Sequence, residues 1–528
     1  MSTLEKPACL LSKIPFEQTN SFSRFFLDYI QGAESLKVFH NGLPTAENLL
    51  AQIENRDFPD AHRSVLHQVL SEQYSKTEKS ERLEANLEAL KSDTTYTITT
   101  GHQLNIFTGP LYFIYKIVTV IRACEELKTL RPDCDFVPVY WMASEDHDFE
   151  EISYFRYGGK KFEWQTNQTG AVGRFETKSI KHIFDDFLGL PEFFRTAYLK
   201  HKTLAEAVRY YVNHLFGDFG LVVVDADDSR LKKLFQPVIE SDIFEHTPQQ
   251  KATTVTEKLE QLGYGTQVHP REINFFYLKD NVRSRLVEEG ENFAVLDTDI
   301  LFTKEEMKVE IAHHPERFSP NVLLRPLYQE FLLPNLAYVG GPSELVYWLQ
   351  LKGIFDNFET AFPLLMPRNF AGVINAPIQR KIEQLGLSFE ELFKNDQDLV
   401  NEKVVEQSTY SLDLDEEKRR IQQIFKDAHQ QAEKIDTTLE QLIWAEHRKA
   451  EKSLEKIEKK LLKAERRNQE VLVNRIYAVK EALFPGGAPQ ERKDNFLNFY
   501  LNDPNFIARC MEAFDPFDYR FHLISANE

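Results

Sequence analysis

The sequence predicts an α/β fold with a doubly wound parallel core, two insertions and a long α-helical coiled-coil domain. Three observations predict it. From residue 94 to about 376, continuous apolar runs alternate with stretches of helical periodicity, the pattern of parallel strands covered on both faces. Several of these runs end in polar or glycine-rich turns. From about 377 to 484 the chain is highly charged, and its apolar residues recur at three- and four-residue steps.

The elements follow in chain order. Residues 1–93 read as a mainly helical segment packing on the core, with helical spacing over 20–31, 60–75 and 79–91. Core strands are expected at 96–99, 136–141, 221–225, 336–339 and 363–366, with helices at 110–128, 203–216, 230–240 and 342–352. This is a Rossmann-like arrangement, whose ligand cleft lies at the carboxyl ends of the strands. Two β-rich insertions hang on it. One, near 151–200, opens with a hairpin turning at Gly158-Gly159; the other lies near 264–310. In the helical domain, Ile421, Ile424, Ala428, Ala432, Ile435, Leu439 and Leu442 form one apolar seam, and Ala450, Leu454, Ile457, Leu461 and Ala464 another. Asp436 can cap between them, giving a helical hairpin expected to form a homodimer. Residues 485–528 return to the core, ending in a strand at FHLI.

Composition narrows the function. The 528 residues carry a formal net charge of -19, which disfavours non-specific nucleic-acid binding. Four cysteines without CxxC spacing make a structural zinc site or a disulfide frame unlikely, so no metal ligand set is expected. No window approaches a membrane span, and the first residues lack a signal layout; a cytoplasmic location is expected.

Four constellations carry chemistry. In TYTITTGHQLNIFTGPLYFIYK (95–116), a strand exits through Gly101, His102 and Gln103, and Thr108-Gly109-Pro110 is read as starting a helix. Such a turn would aim backbone N–H groups and a helix dipole at an anion, with His102 and Gln103 adding donors. The competing reading is a polar, capping turn. Next, Glu145, Asp146, His147, Asp148, Glu150 and Glu151 follow the strand at 136–141. Asp146 or Asp148 could hold an amine, His147 could act as general base, and the carboxylates would suit Mg²⁺. For Glu150 and Glu151 a solvated loop is favoured. The turn near His102 and the acidic run near His147 are expected to open into one crevice.

Third, Arg325 could pair a carboxylate or phosphate bidentately or form a structural salt bridge. Gly340 and Gly341 permit close backbone approach before a helix bearing Ser343, Glu344 and Tyr347, suited to a hydroxyl-rich substrate. Trp348 is read as core. Fourth, Arg368 follows the strand at 363–366 and could cover a nucleotide. A basic stretch at 446–467 offers a tRNA-binding arm, but without aromatics for stacking it reads as a solvated coiled coil.

Thr99-Thr100-Gly101-His102 resembles the T-x-G-H nucleotide signature of class I aminoacyl-tRNA synthetases and nucleotidylyltransferases, although their lysine-serine loop has no counterpart here. A synthetase-like or nucleotidylyltransferase enzyme acting on RNA or another small molecule is therefore one alternative; a non-catalytic coiled-coil scaffold is another. A longer resemblance covers about 94–500. The segments TTGHQLNIFTGPLYFIYK, PVYWMASEDHDFEE, GLVVVDADDSRLKKLF, SPNVLLRPLYQEFLLPNLAYVGGPSELVYWLQLK and IEKKLLKAERR, in this order, resemble the bacillithiol biosynthesis cysteine-adding enzymes, the BshC family. That resemblance implies a Rossmann-type core with two insertions and a dimerising coiled coil. It also implies a ligase joining the carboxyl of cysteine to the amine of glucosaminyl malate, with ATP expected to activate the carboxylate. On this basis the turn at Gly101–Pro110 would bind phosphate or carboxylate. Asp146, His147 and Asp148 would orient and deprotonate the amine, and Ser343, Glu344 and Tyr347 would bind sugar hydroxyls or the malyl group.

Overall fold

A computed structural model describes residues 9–54 and 56–526. Five buried segments form the strands of a parallel sheet: β1 (Thr95–His102), β2 (Asp135–Met142), β3 (Val222–Asp225), β4 (Asn335–Gly340) and β5 (Leu364–Pro367). Their order is β5-β4-β1-β2-β3. The chain lays β1, β2 and β3 outward in one direction, then returns to place β4 and β5 on the other side of β1. The strand order therefore reverses between β1 and β4, where open α/β sheets hold their ligands. The register aligns the carboxyl ends: His102 pairs with Met142, Met142 with Asp225, and Gly340 with Pro367. Loops leaving the strands thus share one edge.

The first crossover is a long helix, α1 (Tyr112–Leu130), which buries apolar side chains along most of its length. Below it, Ile98, Val120, Leu127, Phe136, Leu336, Val339 and Met366 pack into one core cluster. Burial of this kind stabilises by roughly 1.5–3 kcal/mol per large side chain. The helix read at 230–240 is two helices, Ser229–Leu234 and Gln236–Glu245; Pro237, in the first turn of the second, accounts for the break.

Between β2 and β3 lies the expected hairpin, Tyr154–Tyr157 against Lys160–Glu163, with Gly158 and Gly159 both at positive φ in the turn. Between β3 and β4 the chain builds a five-stranded antiparallel sheet, in the order Leu301–Phe302, Asn292–Val295, Val282–Glu289, Phe275–Lys279, Phe318–Pro320. Before β4, a short helix, α2 (Arg325–Leu332), precedes the strand, and α3 (Pro342–Leu349) follows it. A small sheet of Leu10–Pro15, Arg520–Ser525 and Phe370–Ile374 includes the terminal strand expected at FHLI.

The described chain divides into two compact units, one of residues 9–17, 21–373 and 490–526, the other of 18–20 and 374–489. The second is helical. Its longest members, α4 (Asp415–Ile435) and α5 (Glu440–Asn468), form a hairpin through a short turn in which Asp436 accepts from the Thr438 N–H at 2.9 Å. Lys418 on α4 and Glu458 on α5 pair at 2.6 Å.

Candidate active site

A cavity of about 820 Å³ opens at the carboxyl ends of β1, β2 and β4, roofed by the antiparallel sheet. Gly101, His102 and Gln103 line it together with Asp146 and His147, so the first turn and the acidic run do share one crevice.

Its inner wall is a set of buried, partnered charges. Lys116 rises from α1, where the other residues from Tyr112 to Val118 are apolar or aromatic. Its ammonium, 3% exposed, donates to the Gly101 carbonyl at 2.9 Å and pairs with Glu344 at 2.7 Å. Glu344 also accepts from the Gly341 N–H at 2.7 Å and the Tyr338 hydroxyl at 3.1 Å. Burial pushes Lys116 below its ordinary range, with Glu344 opposing the shift. Burial alone would raise Glu344, but Lys116 and the Gly341 N–H hold it below the usual carboxylate range. Arg368 is likewise committed, with both Nη atoms on Glu491 at 3.0 and 2.5 Å and its guanidinium 4.0 Å from the Phe370 ring centroid.

Arg325, at the start of α2, differs. Its Nη1 donates to Gln329 at 3.1 Å, while Nη2 is buried and has no hydrogen-bond partner among the described residues. Its guanidinium lies 5.6 Å from the Tyr338 ring and 5.9 Å from the Trp348 ring. Gln329 donates to Glu330, which also accepts from Asn335, whose Oδ1 takes the hydroxyls of Thr97 and Thr99. This buried chain ties Arg325 to the centre of the sheet. Gly101 is needed for the approach: a Cβ there would stand 3.2 Å from the Tyr338 hydroxyl and 3.3 Å from Arg325 Nη1. His102 packs its ring 5.1 Å from Phe113 and 5.3 Å from Tyr112. Burial, then Lys116 and Arg368, keep its imidazole neutral, with the pKa well below the ordinary value.

The acidic loop is ordered by its own network. Gln103 Nε2 donates to Asp146 at 2.9 Å and to Glu151 at 2.8 Å, drawing two carboxylates together. Asp146 also accepts from the His147 N–H at 2.7 Å. Its burial would raise the pKa, but hydrogen bonds from His147 and Gln103 hold it well below the usual range. Arg283 Nη1 donates to His147 Nδ1 at 2.5 Å and stacks over Phe276 at 4.1 Å. His147 Nδ1 is thereby an acceptor already in use, leaving the proton on Nε2; in this geometry the ring is not a free base. Glu145 pairs with the fully buried Lys232 at 2.5 Å. Asp146 is likewise engaged, by Gln103 and the His147 N–H. Among the described residues no group of three His, Cys, Asp or Glu side chains gathers as a metal site.

The cavity is lined by eleven of the expected residues: Gly101, His102, Gln103, Asp146, His147, Arg325, Gly341, Ser343, Glu344, Tyr347 and Arg368. Four others lie outside its lining. Asp148 is exposed. Gly340 packs inward, where a Cβ would meet Leu345 at 2.9 Å. Thr108 is buried at φ 70° and caps no helix, since α1 begins only at Tyr112. Gly109, at φ 60°, is required because a Cβ would strike that of Asn105 at 2.4 Å. Three amides in and just after the turn are already bonded: Phe107 N–H goes to the Tyr198 hydroxyl, Gly109 N–H to the Ile106 carbonyl and Leu111 N–H to the Asp494 carbonyl. Sequence reasoning missed Lys116, Tyr338 and the insertion arginines Arg271, Arg283 and Arg285, all of which line the cavity. A lone cation in an apolar helix run was the available signal for Lys116.

Two family descriptions match the chain: the N-terminal Rossmann-like domain of bacillithiol biosynthesis BshC over residues 10–369, and the C-terminal coiled-coil domain of the same family over 371–526. The chain belongs to the BshC family. BshC relatives are similar along almost their whole length. One from Christiangramia forsetii is 42% identical, over 97% of this chain and 98% of its own. Another, from Cytophaga hutchinsonii, is 41% identical over the same shares. A third, from Flavobacterium johnsoniae, is 39% identical over 97% of this chain and 99% of its own. All three are named "Putative cysteine ligase BshC". A solved structure titled a putative arginyl-tRNA synthetase, from Campylobacter jejuni, aligns over 86% of this chain and 95% of its own. Its 9% identity and TM-score of 0.18 carry no argument. Among the described residues of this BshC chain, no helix is long and apolar enough to cross a membrane.

Proposed function

We propose that this chain is a cytoplasmic ligase that joins the carboxyl group of cysteine to the amine of glucosaminyl malate, completing bacillithiol. The observation that carries the reading is the full-length similarity to relatives named cysteine ligases, at 39–42% identity. The cavity supports it chemically: it lies at the switch point of a Rossmann-like sheet and gathers cations for anionic groups beside carboxylates for an amine.

Amide formation in water is uphill, so a nucleoside triphosphate such as ATP supplies the carboxylate activation. The residues then divide the work. Arg325 lines the cavity, keeps a buried Nη2 without a hydrogen-bond partner among the described residues, and takes the anionic charge that grows on the activated carboxyl or its leaving group. The Lys116–Glu344 pair fixes the floor beneath it. Asp146 and Glu151, drawn together by Gln103, receive the substrate ammonium. The depressed pKa of Asp146 suits it to hold a cation rather than to remove a proton. The ammonium loses one proton to solvent; the free amine nitrogen then attacks the carboxyl carbon, the C–O bond to the activating group breaks as the C–N bond forms, and the second amine proton also passes to solvent. Ser343 and Tyr347 face the same space and offer hydroxyls to the sugar.

The coiled coil would join two copies. Along α4 and α5, Ile424 is 63%, Ile435 80% and Leu442 57% exposed in the single chain, more apolar surface than a solvated helix face needs. The test of the activity is direct. Purified chain incubated with cysteine, glucosaminyl malate and ATP should release bacillithiol, read by mass spectrometry; no product under conditions where both substrates bind would refute the assignment.

A further inference from the structure

The roof of the cavity holds two arginines that the proposed reaction has not used. In the strand Val282–Glu289, period-two alternation puts Arg283 and Arg285 on one face, opposite Leu278 and Phe276. Arg283 is engaged: it donates to His147 and to the Ser319 hydroxyl, the latter at 3.3 Å, and lies 3.9 Å from Asp146. Arg285, two residues on, makes no side-chain hydrogen bond or ion pair among the described residues, and neither does Arg271. Both line the cavity. Burial, and then the Arg271 charge, depress the pKa of Arg285. Two like charges facing one space without a counter-ion repel each other, and an anion between them removes that cost.

The loop that carries Arg271 is built, not loose. Asn274, 1% exposed, accepts from the Arg271 N–H at 3.2 Å and donates to its carbonyl at 2.7 Å. Asp242, fully buried, grips Asn274 through both oxygens, at 2.6 and 2.9 Å. Upstream, Gln350 Oε1 accepts from the Gln267 and Val268 N–H groups, each at 3.0 Å. The segment 267–274 is therefore pinned at both ends, which fixes the backbone from which Arg271 projects.

We propose that Arg271 and Arg285 form a subsite for a dicarboxylate, the malyl end of the amine substrate; this rests on the ligase reading above. Two planar guanidiniums from different elements match two separate carboxylates, each bidentately. A nucleotide phosphate would share the charge, but phosphate sites usually recruit backbone N–H groups, and those of Gln267, Val268, Arg271 and Asn274 are already bonded within the roof. The subsite places the malyl group under the insertion, with the amine toward Asp146.

The test uses the full chain and L-malate as probe. Malate should raise the melting temperature of the wild type, and its affinity should fall about tenfold or more in Arg285→Gln and in Arg271→Gln, as loss of a charge-assisted contact requires. ADP affinity should be unchanged. In turnover, KM for glucosaminyl malate should rise by a similar factor while kcat and KM for cysteine hold. Wild-type chain that ignores malate, or variants that bind it as the wild type does, would overturn the subsite. So would variants that lose ADP rather than malate, which would assign the pair to phosphates. Failure of the wild type to form the amide would refute the ligase reading alone, because malate binding is read without turnover.

Discussion

The floor and the roof of the cavity treat charge in opposite ways. On the floor, Lys116 has Glu344, and Arg368 has Glu491. On the roof, Arg271 and Arg285 line the same cavity, and neither makes a side-chain ion pair among the described residues. A buried, paired charge is part of the architecture, because removing one member strands the other in a poorly solvated place. An unpaired charge at a cavity wall costs stability in the empty protein and recovers it from a ligand. Arg325 lies between these cases, anchored through Nη1 to Gln329 and open at Nη2. The comparison therefore sorts the cavity's cations into those that hold the site and those that serve it.

Breaking the floor should have the largest effect on stability. Lys116→Ala leaves Glu344 uncompensated, and should cost about 3 kcal/mol in urea unfolding, the low end for a buried pair, because Glu344 remains 29% exposed. A loss below about 0.5 kcal/mol would erase the distinction between floor and roof. Arg325→Gln should instead spare stability but lower kcat/KM about a hundredfold, the scale of one donor to developing anionic charge; steady-state kinetics with matched melting curves check it.

A pH series sharpens the contrast further. His102 has a folded pKa well below its ordinary value, so below about 6.5 the unfolded chain takes up a proton that the folded chain does not. Stability should therefore fall as pH drops through that range, and His102→Gln should flatten the decline by about one proton's worth, near 1.4 kcal/mol per pH unit. An unchanged slope would mean that the imidazole is not held neutral. The smallest effect is expected for Asp148→Ala. That side chain is exposed and outside the cavity lining, and turnover should stay within about twofold of wild type. A larger loss would return Asp148 to the reaction.

Much of the fold was legible because parallel strands covered on both faces tend to be continuously apolar, as β2, β3 and β5 are, while the central β1 (TYTITTGH) reads instead as alternating β-formers. The acidic run was legible for the same reason, since it directly follows one of them. What misled were partners distant in sequence. Arg368 looked like a free cation after a strand, yet Glu491 lies 123 residues further on. Thr108 and Gly109 looked like a helix start, but the loop is fixed by Asn495, whose amide donates to the carbonyls of Phe107 and Gly109. Arg283 and Arg285 carried a signal, the alternation in VRSRLV, but nothing local says that an insertion folds back over the core. Pairing decides whether a charge is structural or functional, and pairing is a tertiary property.

The most direct measurement follows amide formation from cysteine, glucosaminyl malate and ATP in the wild type and in Arg325→Gln, with melting temperatures recorded alongside. The account predicts bacillithiol from the wild type and about one hundredth of that rate from the equally folded variant. Equal rates from both proteins would place the chemistry somewhere other than above the ends of β1 and β4.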